Sequence, residues 1–212
     1  MATLFLTASD VETLVYDSVT DGKSVKTTWT VEEKGTSYII KATSDVADTN
    51  IECGTDYTFN KFKESDKKTA TSYEVDRDGK LLKAIKIVDG KKVVKEFGAY
   101  KYPWIQEFNF GLKPFVRSTE KSYKFCILSP DKINLHNMIA ERLEEEEIDI
   151  EGKKTLALKI KVTLQGFKSM FWKGTCWFDP KTAQMLRYEA NSGPKTPVVT
   201  TTLLSTSTAS SL

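Results

Sequence analysis

The chain has 212 residues, of which 40% are apolar and 28% charged, and this composition is typical of a soluble globular protein. The formal net charge of only +2 argues against nucleic acid or an anionic membrane surface as a partner. No run approaches the roughly 18 apolar residues of a membrane-spanning helix, so we expect no transmembrane segment.

The length is typical of one all-β barrel or sandwich. We therefore expect a single all-β domain over residues 1–212, with a helical or loop insert at about 97–118. The first ten residues, MATLFLTASD, contain a short apolar patch. This patch has no basic segment before it and is too short for a signal peptide. The amino terminus thus predicts either a cytoplasmic protein or an exported one that has lost its leader.

Turn signals recur along the chain where glycine follows a polar residue. They are Asp21-Gly22, Lys34-Gly35, Asp78-Gly79, Asp89-Gly90 and Glu151-Gly152. Glycine provides the positive φ that tight hairpin turns require. A longer turn is predicted at Asp179-Pro180, because proline presets φ at the second turn position.

Between these turns, apolar and polar residues alternate as in half-buried strands. The segments with this pattern are 25–31, 38–42, 51–59, 73–75, 81–87, 123–127, 156–164, 170–178, 186–190 and 199–203. In the clearest one, Leu156, Leu158, Ile160, Val162 and Leu164 share one face. Roughly ten to twelve strands joined by hairpins predict a long antiparallel meander, which must twist and curl toward a half-barrel.

One aromatic segment, EFGAYKYPWIQEFNFGLKPFVRS, interrupts the strand pattern. Pro103 is expected to start a short helix from Trp104 to Phe110, with Gly111 as its end. Such an insert would plug the open side of the curled sheet. The predicted fold class is therefore mainly β, a meander curled into a half-barrel around a short helical and aromatic insert.

Two polar segments have simpler interpretations. The acidic run at 141–147, ERLEEEE, is predicted to be a solvated strand or loop that protects a sheet edge. The carboxyl-terminal sequence loses its apolar pattern after Leu204, so residues at about 205–212 are expected to fray.

The cysteines do not indicate a disulfide framework. Cys53, Cys126 and Cys176 are odd in number and widely spaced, and the chain has a single histidine, so a zinc site is not expected either. We predict three buried thiols that pack as small apolar side chains. One disulfide with one free thiol is the alternative in an exported protein.

No motif in the chain indicates catalysis. There is no phosphate-binding glycine loop and no dinucleotide fingerprint. His136 lies near Cys126 in sequence, but neither belongs to a motif that would expose a nucleophile. We therefore predict no catalytic residues, no metal and no cofactor, and expect a protein that is not an enzyme.

The remaining signal is the aromatic content of the inward faces. The candidate residues for an apolar cavity are Trp29, Phe59, Tyr73, Trp104, Phe108, Tyr123, Phe125, Trp172 and Tyr188. Two interpretations stay open. These side chains form either a packed core or the wall of a cavity that binds a lipid or another apolar small molecule.

The carboxyl-terminal third resembles a bacterial family of uncharacterised proteins, domain-of-unknown-function family 3108. The resemblance lies in a glycine turn, an alternating strand, the aromatic pairs Phe171-Trp172 and Trp177-Phe178, and the segment Leu186-Arg187-Tyr188-Glu189. It implies a periplasmic or otherwise extracytoplasmic protein whose half-barrel is similar in shape to the Lol lipoprotein carriers. It implies no catalytic residues.

A second functional hypothesis is a cell-envelope protein that binds a protein partner through the outer face or edge of the sheet. In FWKGTCWF, residues 171–178, the period of two places Trp172 on one face and both Phe171 and Trp177 on the other. A strand that is apolar on both faces must be covered on both. This hypothesis therefore predicts an exposed apolar patch on the sheet or a dimer.

Overall fold

The structure is a computed structural model that describes residues 10–98, 101–166, 172–191, 193 and 196–210. Within these ranges it contains fourteen strands and two short helices, α1 (Phe108–Gly111) and α2 (Lys113–Arg117). The strands before the helices are β1 (Asp10–Thr20), β2 (Lys23–Lys34), β3 (Ser37–Ser44), β4 (Ala47–Gly54), β5 (Phe59–Asp66), β6 (Thr71–Asp78), β7 (Leu81–Val88) and β8 (Lys91–Gly98). Those after them are β9 (Ser122–Ser129), β10 (Asn134–Ile150), β11 (Lys153–Leu164), β12 (Lys173–Phe178), β13 (Met185–Asn191) and β14 (Val198–Ser210).

All strands belong to one antiparallel sheet, in the order β8-β7-β6-β5-β4-β3-β2-β1-β14-β13-β12-β11-β10-β9. The predicted meander is confirmed, with more strands than the sequence pattern indicated. Two meanders meet where β1 pairs with β14, from Asp10 opposite Ser210 to Val19 opposite Thr200. The expectation that residues 205–212 fray is wrong for 205–210, because β1 pairs with them. Threonine has a high preference for strands, so this threonine-containing segment can form one without an alternating apolar pattern.

The sheet is open but strongly curled. Its edge strands are β8 and β9, which are not paired with each other. Lysines of β7 and β8 connect one edge of the sheet to the loop that follows β9. Lys86 Nζ donates to the Asp131 carbonyl at 3.2 Å, and Lys95 Nζ donates to the Lys132 carbonyl at 2.8 Å. Residues 130–133 connect β9 to β10. The result is the half-barrel that the sequence predicted.

The hairpin turns follow the predicted dipeptides. At Asp21-Gly22 both residues have positive φ, 50° and 72°, as a two-residue type I′ turn requires. The alternating segment at 51–59 is not one strand, however. The Asp56 carboxylate accepts hydrogen bonds from the Thr58 N–H at 2.9 Å and its hydroxyl at 2.8 Å, and β4 turns into β5 there. An Asx turn of this kind is invisible to a period-two pattern.

The aromatic insert begins later as a helix than predicted. Trp104 lies in extended backbone that bridges β9, with Ile105 N–H donating to the Cys126 carbonyl at 3.0 Å. A backbone donor that pairs with a strand edge cannot also pair within a helix. The helix does end at Gly111, where an added Cβ would lie 2.6 Å from Ile105 Cβ.

Two strand faces also differ from the expected ones. Leu158, Ile160 and Val162 are buried, but Leu156 is 50% exposed. The pairing of β9 with β10 ends at Glu141, so Leu156, which lies opposite Glu147, has no β9 residue beside its hairpin. The acidic run at 141–147 lies in β10, which is a sheet edge beyond Glu141. In β7 the sequence pattern predicted that Leu81, Ile85 and Ile87 share the inward face, but the buried residues are Leu82 and Ala84.

Candidate functional site

The helix α1 crosses the concave side of the sheet and carries two aromatic anchors. The Phe108 ring lies 5.9 Å from Phe125 on β9, 5.9 Å from Tyr188 on β13 and 6.1 Å from Trp172, centroid to centroid. The Phe110 ring meets Trp29 on β2 edge-on at 5.2 Å. Aromatic pairs with these geometries stabilise beyond their buried area, so α1 is fixed to both halves of the sheet.

The other candidate aromatics pack in separate groups. Phe59 contacts Trp104 edge-on at 5.8 Å, and Tyr123 stacks on Phe125 at 5.9 Å. Tyr73 is buried on β6. The structure therefore does not bring all nine candidates to one space. The core contains Trp29, Phe59, Tyr73, Trp104 and Phe125, whereas Trp172, Tyr123, Phe108 and Tyr188 are partly buried against it.

A cavity of about 280 Å³ lies between α1 and strands β1, β2, β13 and β14. We call it the first cavity. Its lining residues are Tyr16, Ser18, Thr27, Trp29, Gln106, Glu107, Phe108, Asn109, Met185, Tyr188 and Thr201. Three of the predicted candidates, Trp29, Phe108 and Tyr188, line it. Its volume is close to the lower end of the range for small-molecule sites, roughly 300–1,000 Å³.

Three polar side chains of the insert, Gln106, Glu107 and Asn109, line the first cavity, and the sequence analysis identified none of them. Asn109 is only 4% exposed, and its Oδ1 has no hydrogen-bond partner among the residues that the structure describes. Burial, reinforced by repulsion from Glu64, raises the pKa of the Glu107 carboxyl to about 8. Glu107 is therefore mostly protonated near neutral pH and can donate a hydrogen bond. In the sequence, the only indication of these cavity residues was that polar residues lie next to aromatic ones in the insert.

A second cavity, of about 340 Å³, lies near α2. Its lining residues are Asp10, Glu12, Val31, Glu33, Tyr38, Tyr57, Lys113, Arg117, Thr182, Gln184 and Thr206. A chain of buried hydrogen bonds lies between residues of the two cavities. Lys113 Nζ donates to Gln184 Oε1 at 3.4 Å, Gln184 Nε2 donates to the Tyr16 hydroxyl, and that hydroxyl donates to the Met185 carbonyl at 2.8 Å.

The residues considered for catalysis are three buried thiols and one histidine on a strand. Cys53, Cys126 and Cys176 are buried free thiols, as predicted. Burial raises the pKa of Cys126 to about 12, so it carries almost no thiolate at neutral pH. His136 lies on β10 opposite Ile127. Over the described ranges, no group of three or more His, Cys, Asp or Glu side chains is placed to hold a metal, and no helix is long and apolar enough to span a membrane.

On the convex face of β12, Trp177 is covered by neighbouring side chains. Trp177 is only 8% exposed, and its Nε1 donates to Glu146 Oε1 at 2.7 Å. The Lys159 and Arg187 cations each lie 5.7 Å from the Trp177 ring, and Lys159 also pairs with Glu146 at 3.1 Å. Charged side chains of the same sheet therefore cover the ring. Trp177 is therefore not part of an exposed apolar patch, and Phe171 lies outside the described residues.

The fold is shared with a solved structure. A β-barrel-like protein of domain-of-unknown-function family 1849 from Brucella abortus superimposes with a TM-score of 0.59 and 8% identity, over 97% of this chain and 99% of that one. A hypothetical lipoprotein from Escherichia coli gives a TM-score of 0.39 at 12% identity, over 91% and 86% of the chains. A LolA superfamily protein from Nitrosomonas europaea gives 0.26 at 10%, over 95% and 86%. Only the first alignment supports a common fold.

The sequence comparisons do not assign the chain to a family. No family model matches it, and no curated protein matches it. The resemblance of the carboxyl-terminal third to family 3108 is therefore not confirmed. The alignment with the family 1849 protein shows a shared β-barrel-like fold, and a shared fold does not by itself identify a ligand.

Proposed function

We propose that this protein is a non-enzymatic binding protein for a lipid-like apolar ligand, which occupies the first cavity. The observation that carries the proposal is the placement of this cavity between α1 and the concave sheet. Its apolar wall is formed by Trp29, Phe108, Met185 and Tyr188. Apolar walls with a few convergent polar groups are typical of small-molecule sites.

The polar groups suit a ligand with one polar end. Glu107 supplies a donor while it is protonated, and the unpartnered Asn109 Oδ1 supplies an acceptor. A buried polar atom without a partner costs free energy, and a ligand hydroxyl would remove that cost. A long-chain alcohol is therefore a better model ligand than a pure hydrocarbon.

We also propose an extracytoplasmic location, which the resemblance to family 3108 implies. The cytoplasmic alternative is equally compatible with three unpaired buried thiols. Fractionation of the native host, with detection of the protein by antibody, distinguishes the two locations. Recovery in the cytoplasmic fraction alone would remove the envelope from the proposal but leave the cavity unaffected.

The binding proposal is tested with 1-decanol and two neighbouring variants. Thr27 lines the first cavity, whereas Thr28 points to the opposite face of β2, where it lines a shallow groove with Lys41. Thr27→Phe fills the cavity, and Thr28→Phe is the matched control. We expect calorimetry to show decanol binding to wild type and Thr28→Phe, weakened at least about tenfold in Thr27→Phe, which is ~1.4 kcal/mol.

Two results would count against the proposal. If decanol does not bind the wild-type protein, or binds both variants equally, then the first cavity is not the site. Native mass spectrometry of protein purified from its host completes the test, because a stoichiometric adduct that Thr27→Phe removes would define the natural ligand class.

A further inference from the structure

The second cavity contains a buried cation without an ion-pair partner. Lys113, at the start of α2, is only 3% exposed. The Nζ atom has one hydrogen bond, the 3.4 Å contact with the neutral Gln184 amide. Its other neighbours are the rings of Tyr57 and Phe110, whose centroids lie 5.4 Å and 5.6 Å away. No carboxylate within the described part of the chain lies within ion-pair distance of it.

Burying the Lys113 ammonium without a charge partner costs free energy. A buried ammonium loses its hydration and regains little from a long hydrogen bond and two aromatic faces. Burial lowers the pKa of Lys113 accordingly. An anion that enters the cavity would restore the missing charge partner, and in a partly desolvated site such a contact is strong.

The other charges around this cavity have opposing effects. Arg117, one turn along α2, lies 5.9 Å from the Tyr57 ring and adds a second cation. The carboxylates are Asp10, Glu12 and Glu33. Asp10 and Glu33 are exposed, so solvent and salt screen them. Glu12 is half-buried and is the carboxylate with the largest effect on Lys113. It therefore opposes anion entry.

We propose that the second cavity is an anion site, in which Lys113, assisted by Arg117, binds a carboxylate or phosphate group. The Tyr38 and Thr182 side chains, both of which carry hydroxyls, line the same cavity. The site does not rest on the proposed function, because the Tyr16–Gln184 hydrogen bond lies between the two cavities. The anion has two sources, a free phosphate or the head group of a lipid-like molecule.

Three probes distinguish these sources by calorimetry: inorganic phosphate, decanoate and 1-decanol. The variants are Lys113→Met, Arg117→Met and Glu12→Gln, and the control is Lys26→Met, which removes an exposed lysine of β2. For whichever anion binds, we expect Lys113→Met to weaken binding roughly tenfold or more. Glu12→Gln is expected to tighten it by about two- to fivefold, and Arg117→Met to weaken it by a similar factor. Lys26→Met is expected to leave it unchanged.

The outcomes separate the two sites. Phosphate binding that depends on Lys113 identifies a free anion, whereas decanoate binding with no phosphate binding identifies a head group. Decanol binding to Lys113→Met at wild-type affinity shows that the first cavity functions alone. The anion site is refuted if neither phosphate nor decanoate binds, or if Lys113→Met binds them as wild type does.

Stability provides an independent readout of the same lysine. Methionine has a similar length without the charge, so Lys113→Met removes a desolvation cost and loses one long hydrogen bond to Gln184 but no ion pair. We expect its melting temperature to be at least that of wild type without ligand, and phosphate or decanoate to raise the melting temperature of wild type only. A large loss of stability would show that Lys113 has a structural partner and would overturn the assignment.

Discussion

Replacing Glu107 by glutamine removes a titratable group from the wall of the first cavity while keeping its shape. Glu107 is the residue before α1, and its side chain makes no capping hydrogen bond to the helix. The substitution therefore costs no helix cap. Because burial and Glu64 together raise the pKa of this carboxyl from 4.5 to about 8, its ionised form is disfavoured in the folded protein.

The direction of the effect follows from proton binding. Between about pH 4.5 and pH 8 the folded protein holds a proton on Glu107 that the unfolded chain has released. The free energy of unfolding therefore falls as pH rises through this window and levels off above it. At 1.36 kcal/mol per pKa unit, the free energy of unfolding falls by about 3 to 5 kcal/mol, and the lower value applies if water in the cavity solvates the carboxylate. The Glu107→Gln variant has no carboxyl group at this position, so its free energy of unfolding does not fall for this reason.

The assay is urea unfolding followed by tryptophan fluorescence at pH 4.5, 6, 7, 8 and 9, for wild type and Glu107→Gln. We expect similar stability at pH 4.5 and a stabilised variant at pH 9. Glu144→Gln, at an exposed position of β10, serves as control and is expected to follow wild type. Parallel curves for wild type and Glu107→Gln would refute the reasoning, because they would show that Glu107 titrates as it does in the unfolded chain.

Two further predictions concern packing. Gly111→Ala places a Cβ 2.6 Å from Ile105 Cβ, so we expect urea unfolding to show a loss of stability of about 1–3 kcal/mol. Hydrogen exchange of the Ile105 amide should also accelerate, because its pairing with β9 loosens, and an unchanged exchange rate would contradict this contact. Trp177→Ala removes a ring held by Glu146 and two cations on the convex face, so we expect a loss of about 3–5 kcal/mol with unchanged decanol affinity. A parallel loss of affinity would mean that Trp177 contributes to the site after all.

The sequence was a good guide to local features and a poor one to contacts between distant segments. The alternation in 156–164 predicted a strand because neighbouring side chains point to opposite faces whatever the rest of the chain does. It could not show that Leu156 lies beyond the end of β9, since exposure depends on where another strand stops. The same reason explains the error at 205–210, whose strand depends on pairing with β1.

The candidate site shows the same limit. Of the nine aromatic candidates, Trp29, Phe108 and Tyr188 line the first cavity, and the other six do not. Which aromatic rings pack together and which border an empty space is decided by the path of α1 across the sheet. That path depends on Trp104 and Ile105 joining the edge of β9, which no local pattern reveals.

The sequence by itself determined a mainly β meander, its hairpin turns and its three buried thiols, because strand periodicity, turn geometry and the burial of small apolar groups are local preferences. Only the tertiary structure decided the cavities. Lys113, Gln184 and Tyr16 come from the insert, the turn before β13 and the first strand, and a hydrogen-bonded chain of them exists only after the sheet has curled. The physical reason is that a cavity is the space left over by packing, and packing is a property of the whole chain.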